Sequence, residues 1–272
     1  EISVAAAIFN KAFKWDIMGN LSANRNKVEE LSKGSDIESG TLDIPFYSAT
    51  NMIRVGQPFG MFYGYQEDGL DSKGFIKYRD NHEDGVINAL DRVIIGNPYP
   101  DFIYSISNNM TYKNFDLNIF IDASQGNDLF WATAGTHLNS FQRGQNQFAD
   151  IVGNYWTKEN PDPNAKYPVI SSKTSITVSD RFIKDGSYIR LKSLSLGYSI
   201  PVQKMGIKWC NKARIYVSGI NLFTITNYPG LDPESNTVGT DDQSASSRSR
   251  IGIDQGAYPS ARSLFMGINL SF

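Results

Sequence analysis

The chain has 272 residues, with 26 Lys and Arg against 28 Asp and Glu, so its formal net charge is only −2. This balance excludes a broad basic face, and with it nucleic acid as the main partner. One cysteine excludes an internal disulfide, and two histidines leave little for a zinc centre or a His-based catalytic triad.

The N-terminal residues, EISVAAAIFNKAFKWDI, lack the basic start, apolar stretch and cleavage site of a signal peptide. We therefore expect either a cytoplasmic protein or a chain that begins inside a longer one. No run of about 18 apolar residues occurs, which excludes a transmembrane helix. A transmembrane β-barrel stays open, because its strands alternate and do not raise the mean hydropathy much.

Apolar and polar residues alternate with period two over residues 13–23, a longer run than the usual strand of five or six residues. The clearest alternation lies in residues 102–112 and 115–124, which are separated only by Lys113 and Asn114. Two strands of about ten residues joined by so tight a turn predict a β-hairpin. Each strand is long enough to cross a bilayer at a tilt.

A further strand is predicted over residues 188–200. Its apolar residues alternate from Leu194 onwards, but Ile189 and Leu191 are out of phase with that set. Because side chains on a strand point to opposite faces in turn, the change of phase predicts a β-bulge near residues 190–193.

The last predicted strands cover residues 213–226, whose faces are less cleanly divided, and residues 262–272, where only Phe265 breaks the alternation. Long polar connections separate the strands, and a short helix is expected around residues 146–156. These connections are residues 32–51, 126–180 and 227–258. Long loops that alternate with tight turns are typical of outer-membrane barrels.

A soluble β-sandwich also alternates, but its strands are shorter and its turns recur every 8–12 residues. Here aromatic residues gather near strand ends, as at Phe102, Tyr104, Tyr112 and Phe115, where their rings suit the membrane interface. The opposite faces carry small and polar residues, as a water-filled interior requires. The pattern favours a lipid-facing barrel and leaves a sandwich or jelly roll open as the alternative.

Three C-terminal segments look like consecutive barrel strands of SusC/RagA-like TonB-dependent outer-membrane transporters. They are DRFIKDGSYIRLKSLSLGYSIP (180–201), ARIYVSGINLFTITNYPGLDPE (213–234) and YPSARSLFMGINLSF (258–272). Upstream, GQPFGMFYGYQEDGL (56–70) and residues 91–130 resemble the same family in the same order. The similarity spans roughly residues 10–272, which makes it far more specific than a single short motif.

The resemblance implies an all-β fold, namely a partial antiparallel transmembrane β-barrel with long extracellular loops. Such barrels have about 22 strands, of which this chain would supply about eight to ten. Residues 1–272 would be the C-terminal portion of the barrel, without the plug domain and the TonB box. The terminal Phe272 resembles the signal read by the outer-membrane assembly machinery, and its alternative is an ordinary apolar strand end.

The family also implies a location in the cell outer membrane and a function in nutrient import, mostly of oligosaccharides and sometimes of peptides. Its implied partners are the lipid bilayer, TonB and a SusD-like surface lipoprotein that caps the barrel. A secreted or periplasmic β-sandwich that binds glycans is the alternative. An enzyme is not expected. A glycoside hydrolase needs two carboxylates close to one glycosidic bond, and Asp116 and Asp122 would lie about 20 Å apart on one strand at ~3.3 Å per residue, too far to act on the same bond.

Residues 80–91, DNHEDGVINALD, approximate the calcium-binding EF-hand loop. The predicted Ca²⁺ ligands are Asp80, Asp84, the Val86 carbonyl, Asn88 and Asp91. His82 stands where an oxygen ligand is expected, and Asp91 replaces the usual bidentate Glu, so the affinity would be low. The alternative is a turn whose Asp and Asn side chains satisfy their own backbone.

Five residues of the long middle loop are candidates for ligand contact. They are Trp131, His137, Phe141, Tyr155 and Trp156. Aromatic rings beside Asn and Gln suit sugars, which offer C–H faces for stacking and hydroxyl groups for hydrogen bonds. The alternative is a loop that packs over its own small apolar cluster.

Overall fold

The computed structural model describes residues 1–42, 46–138, 146–171, 176–207, 209–234 and 250–272. Within these ranges the regular secondary structure is almost entirely β, with sixteen strands in four sheets. The described helices are α1 (Ala132–Leu138) and three 3₁₀ turns, Ala89–Asp91, Ala149–Ile151 and Asp180–Phe182. None of the helices in the described ranges has the length and apolar character needed to span a membrane.

Seven long strands form one antiparallel sheet, which we call the main sheet. In sheet order they are β1 (Ile2–Asn10), β2 (Phe13–Ser22), β9 (Phe102–Tyr112), β10 (Phe115–Gln125), β13 (Tyr188–Ile200), β14 (Lys212–Thr226) and β16 (Ser263–Ser271). Short connections, such as the Lys113-Asn114 turn, alternate with long ones. Because the strands run up and down in turn, all the long connections leave from the same end of the main sheet.

The other nine strands belong to three small sheets built within the long connections. Their bounds are β3 (Ile37–Ser39), β4 (Asn51–Ile53), β5 (Met61–Gly64), β6 (Glu67–Leu70), β7 (Ile76–Tyr78), β8 (Val93–Gly96), β11 (Asp128–Trp131), β12 (Ile183–Asp185) and β15 (Ile253–Asp254). The sheet orders are β3-β4-β5-β8, β6-β7 and β12-β11-β15.

The predicted long strands and the tight hairpin are confirmed. The main sheet has seven strands within the described residues, against the eight to ten expected, because the strands of residues 37–96 are too short to join it. The helix expected around residues 146–156 is wrong, since that segment holds only the 3₁₀ turn Ala149–Ile151 and the α-helix lies earlier, at Ala132–Leu138.

The β-bulge predicted near residues 190–193 is also confirmed. The register of β13 shifts between Leu191 and Ser193 against both of its neighbours, β10 and β14. Lys192 is the extra residue, and it returns Ile189 and Leu191 to the face that carries Leu194. The bulge thereby keeps the apolar side of β13 in phase along its whole length.

One face of the main sheet is largely apolar, with Asn108 of β9 as a polar exception. On this face the strand register aligns seven apolar residues, one from each strand, in a single cross-strand row: Phe9, Trp15, Met110, Leu117, Leu196, Val217 and Met266. The adjacent row on the other face is mostly polar and contains Ala7, Asp16, Asn109, Asn118, Ser195, Ser218 and Phe265. The apolar row is not covered by protein towards the C-terminal edge, where Leu196, Val217 and Met266 are 51%, 54% and 83% exposed.

The main hydrophobic core of the described residues lies in the long connections and not against the main sheet. Its buried members are Leu42, Phe46, Phe62, Phe130, Ala132, Ala134, Ile176, Val178, Phe182 and Ile253. Phe46 packs edge-on against Phe130 and Phe182, with ring centroids 5.1 and 5.0 Å apart. In a β-sandwich the apolar face of the long strands would form this core, so the observed architecture differs from that alternative.

Candidate ligand-contacting loops and their cavity

A cavity of about 480 Å³ lies among the long connections, which is within the usual size range of ligand pockets. Its lining combines aromatic rings with charged side chains. The residues that matter here are Trp131, Phe148, Asp150, Lys166, Arg181 and Lys184. We call it the loop cavity.

Trp131 forms the aromatic side of the loop cavity. It is the last residue of β11 and is held in register by parallel pairing with Asp254 of β15. Its ring lies 5.2 Å from that of Phe148 and 6.4 Å, edge-on, from that of Tyr228. The Tyr228 hydroxyl donates a hydrogen bond of 2.6 Å to Asp254, and burial followed by this bond raises the pKa of Tyr228. These contacts fix the Trp131 ring in place.

His137 stands beside the same aromatic group. Its ring lies 4.8 Å from Phe148, and its Nδ1 atom lies 3.0 Å from the carbonyl oxygen of Asn146. Of the five predicted loop residues, Trp131 and His137 are thus brought together around Phe148. Sequence reasoning missed Phe148, because its approach depends on how the loop folds back.

The other predicted loop aromatics lie elsewhere. Trp156 is only 5% exposed and packs on Gly74, where an added Cβ would come within 2.4 Å of its ring. Tyr155 is half-buried and forms a parallel bridge with Tyr167. Phe141 lies outside the described residues. A role of these residues in ligand contact stays a prediction, and Trp156 as placed serves the packing of the loop itself.

The charged side of the loop cavity begins with Asp150. Its carboxylate accepts a bond of 2.5 Å from Lys166 and one of 2.6 Å from the Tyr167 hydroxyl. These two bonds, with Lys166 the stronger influence, hold the pKa of Asp150 below its usual range. Asp150 is therefore a charged member of the cavity lining at neutral pH.

Residues 227–234, which follow β14, are tied to the main sheet by Arg190 of β13. This guanidinium is only 2% exposed and donates to Asp232 at 2.5 Å and to Glu234. Burial alone would raise the pKa of Asp232, but the bonds from Arg190 and from the N–H of Ser260 lower it below the usual value. Asp232 thus joins this loop both to β13 and to the segment before β16.

The carboxylates of the predicted calcium loop bind its own backbone. Asp80 accepts a hydrogen bond of 2.7 Å from the N–H of Gly85, and Asp84 accepts one of 2.8 Å from the N–H of Val86. Asp91 accepts two, from the N–H of Asn88 at 2.7 Å and from the N–H of His82 at 3.1 Å. Asn88 caps the following 3₁₀ turn through the N–H of Leu90, at 2.8 Å. Among the described residues no group of three or more His, Cys, Asp or Glu side chains is arranged to hold a metal. Calcium binding here stays a prediction.

The terminal Phe272 follows directly on β16. It is 76% exposed, and its ring stacks on Trp209 with centroids 5.8 Å apart and planes 23° apart. Trp209 belongs to the connection between β13 and β14, beside the buried Cys210. Two aromatic rings therefore lie at the end of the main sheet opposite the loop cavity. A role for Phe272 in assembly stays a prediction.

Over 97% of its length the chain is 36% identical to TonB-dependent receptor P3 of Formosa agariphila, and over 96% it is 30% identical to TonB-dependent receptor P26 of the same bacterium. It is 27% identical, over its full length, to TonB-dependent receptor SusC of Bacteroides thetaiotaomicron. The chain spans only 26–27% of the length of these relatives. No family model matches it.

Solved structures with a similar fold include the RagAB peptide transporter and the RagAB peptide importer in its open-open state. Their TM-scores are 0.75 and 0.73, at 22% and 21% identity. Each match covers 99% of this chain and 28% of the other. At this identity the likeness bears on the fold alone. The chain is thus related over nearly its whole length to TonB-dependent receptors of the SusC/RagA-like family, as the sequence resemblance predicted, and its antiparallel all-β fold is similar to part of the matched RagAB chain.

Proposed function

We propose that this chain forms part of the barrel and of the external loops of an outer-membrane, TonB-dependent nutrient importer. Residues 1–272 would be the C-terminal portion of that barrel. The observation that carries the proposal is the continuous apolar face of the main sheet, which no protein core covers within the described residues. Lipid is the environment in which such a face is stable, since exposed apolar patches of this extent are rare on soluble monomers.

The two ends of the main sheet differ as they do in outer-membrane barrels. Short connections leave one end, and long connections with their own core leave the other, as expected of periplasmic turns and extracellular loops. In this arrangement the mostly polar face lines a hydrated interior. The loop cavity would then lie on the extracellular side, where an imported ligand first meets the barrel.

The partners follow from the relatives and are proposed on that basis. A SusD-like surface lipoprotein would cover the loops, and TonB would act through a part of the protein other than this chain. The ligand would be an oligosaccharide or a peptide. The sequence relatives are named as TonB-dependent receptors, and the RagAB structures are named as a peptide importer, so both ligand classes belong in a binding test.

Detergent dependence tests the membrane proposal directly. The protein should be monodisperse and folded in detergent micelles or phospholipid vesicles, and it should aggregate or unfold when the amphiphile is removed. A protein that stays monodisperse and folded in plain buffer contradicts the proposal, because its apolar face would then be covered by protein. A matched soluble β-sandwich protein, treated in the same way, controls for losses during detergent removal.

A further inference from the structure

The loop cavity has an excess of positive charge. Four charged side chains line it: the carboxylate of Asp150 and the cations of Lys166, Arg181 and Lys184. Three cations against one carboxylate leave the lining charged unless partners outside it compensate. The partners of each cation therefore decide what the cavity can bind.

Two of the three cations are compensated. Lys166 lies 2.5 Å from Asp150, and Arg181 donates through Nε to Glu67 at 2.7 Å. Arg181 also donates through Nη1 to the main-chain carbonyl oxygen of Lys166, at 2.8 Å. Their positions are thus fixed by bonds within the protein, and neither requires a ligand for charge balance.

Lys184 is different. It lies on β12, is half-buried, and makes no ion pair or side-chain hydrogen bond within the described part of the chain. Burial, followed by the neighbouring Arg181, lowers the pKa of Lys184, and the nearby carboxylates of Glu67 and Asp180 offset this only in part. Both carboxylates already accept hydrogen bonds from other groups, Glu67 from Arg181 and Asp180 from the N–H of Glu67. A half-buried ammonium that makes no direct ion pair costs free energy, because it has lost water without gaining a contact with an anion.

The lining of the same cavity also offers an apolar surface and a polar group. Trp131 and Phe148 supply ring faces, and Asn227 lies exposed at the margin of the cavity. We propose that the loop cavity is a subsite for a carboxylate group carried by the ligand, with Lys184 as its counter-charge and Trp131 as the surface on which the rest of the ligand packs. This inference rests on the proposed import function and names the chemistry of its ligand.

Such a carboxylate has two sources, a uronic acid in an oligosaccharide or an acidic side chain in a peptide. Isothermal titration calorimetry of the protein in detergent micelles distinguishes them. The probes are tetragalacturonate with its carboxyl-reduced neutral form, and the amidated peptide GEGEG with its neutral counterpart GQGQG. At least one anionic probe should bind about tenfold more tightly than its neutral counterpart.

Lys184→Gln should remove most of this tenfold preference, whereas Lys184→Arg, which keeps the charge, should retain it. Lys33→Gln is the matched control, since Lys33 is an exposed lysine that does not line the cavity. Equal affinity for anionic and neutral probes overturns the subsite, as does a preference that survives Lys184→Gln, or a failure of both anionic probes to bind. The proposed function is judged separately, by detergent dependence, so the two failures are distinguishable.

Discussion

Replacing one residue on each face of β10 with arginine tests which face meets lipid. Ile119 lies on the apolar face between Asn108 and Leu194, and Asn118 lies on the other face between Asn109 and Ser195. Ile119 is four residues from the start of the strand. At ~3.3 Å per residue and a tilt of about 40°, it lies about 10 Å above that end, near the middle of an apolar band of about 25 Å.

Arginine near the midplane of the bilayer costs about 2–4 kcal/mol on a lipid-facing site. The neighbouring Asn108 offsets little of this cost, because its side-chain oxygen already accepts a hydrogen bond of 3.2 Å from the indole of Trp15 and a guanidinium has five N–H donors to satisfy. Ile119→Arg should therefore lower the free energy of unfolding by roughly that amount. Asn118→Arg should change it by less than about 1 kcal/mol, since surface substitutions away from special features cost little.

Reversible denaturant unfolding in phospholipid vesicles, followed by tryptophan fluorescence, measures both variants under the same conditions. The difference between the two free energies of unfolding is the informative quantity, because each variant places the same charged side chain at one of two adjacent positions. Equal losses from Ile119→Arg and Asn118→Arg would refute the assignment of the two faces.

Three further outcomes are expected. Arg190→Ala should loosen residues 227–234 and cost about 3–5 kcal/mol, because it leaves the buried Asp232 without its partner; limited proteolysis and denaturant unfolding measure this, and an unchanged cleavage pattern would contradict it. The pKa of Asp150 is lowered in the folded state, so the stability that it contributes is present above the ordinary carboxyl pKa and is lost as the pH falls through the lowered value. Asp150→Asn should abolish this acid step in a stability–pH profile, whereas an identical profile would exclude Asp150 as its source. Calcium at millimolar concentration should raise the melting temperature if residues 80–91 bind it, and a flat calorimetric titration would leave the loop as a turn that satisfies its own backbone.

The long strands of the main sheet were predictable because period-two alternation over ten residues is typical of a β-strand with two different faces. The bulge on β13 was predictable for the same reason, since one phase change between Leu191 and Leu194 requires one extra residue. Strand β1 was not predicted. Its middle is Ala5-Ala6-Ala7, and three alanines in a row give no contrast between the two faces.

The loops were less predictable, because their structure depends on contacts between segments far apart in the sequence. Strand β11 pairs with β15 through Phe130 and Ile253, and neither strand is longer than four residues. Patterns that short carry no periodic signal. Composition identified Trp131 as a candidate for ligand contact. The cations that line the same cavity follow it at least 35 residues later in the same connection (166 − 131 = 35), so Lys184 could not be assigned to a site from the sequence.

The central claim is that the apolar face of the main sheet contacts acyl chains, and Trp15 tests it most directly. Trp15 lies in the apolar cross-strand row, whereas Trp131 lies at the cavity within the long connections. Single-tryptophan variants that keep one or the other can be placed in vesicles of lipids brominated along the acyl chain. The account predicts strong quenching of Trp15 and little quenching of Trp131. Equal quenching of the two, or none of Trp15, would contradict it.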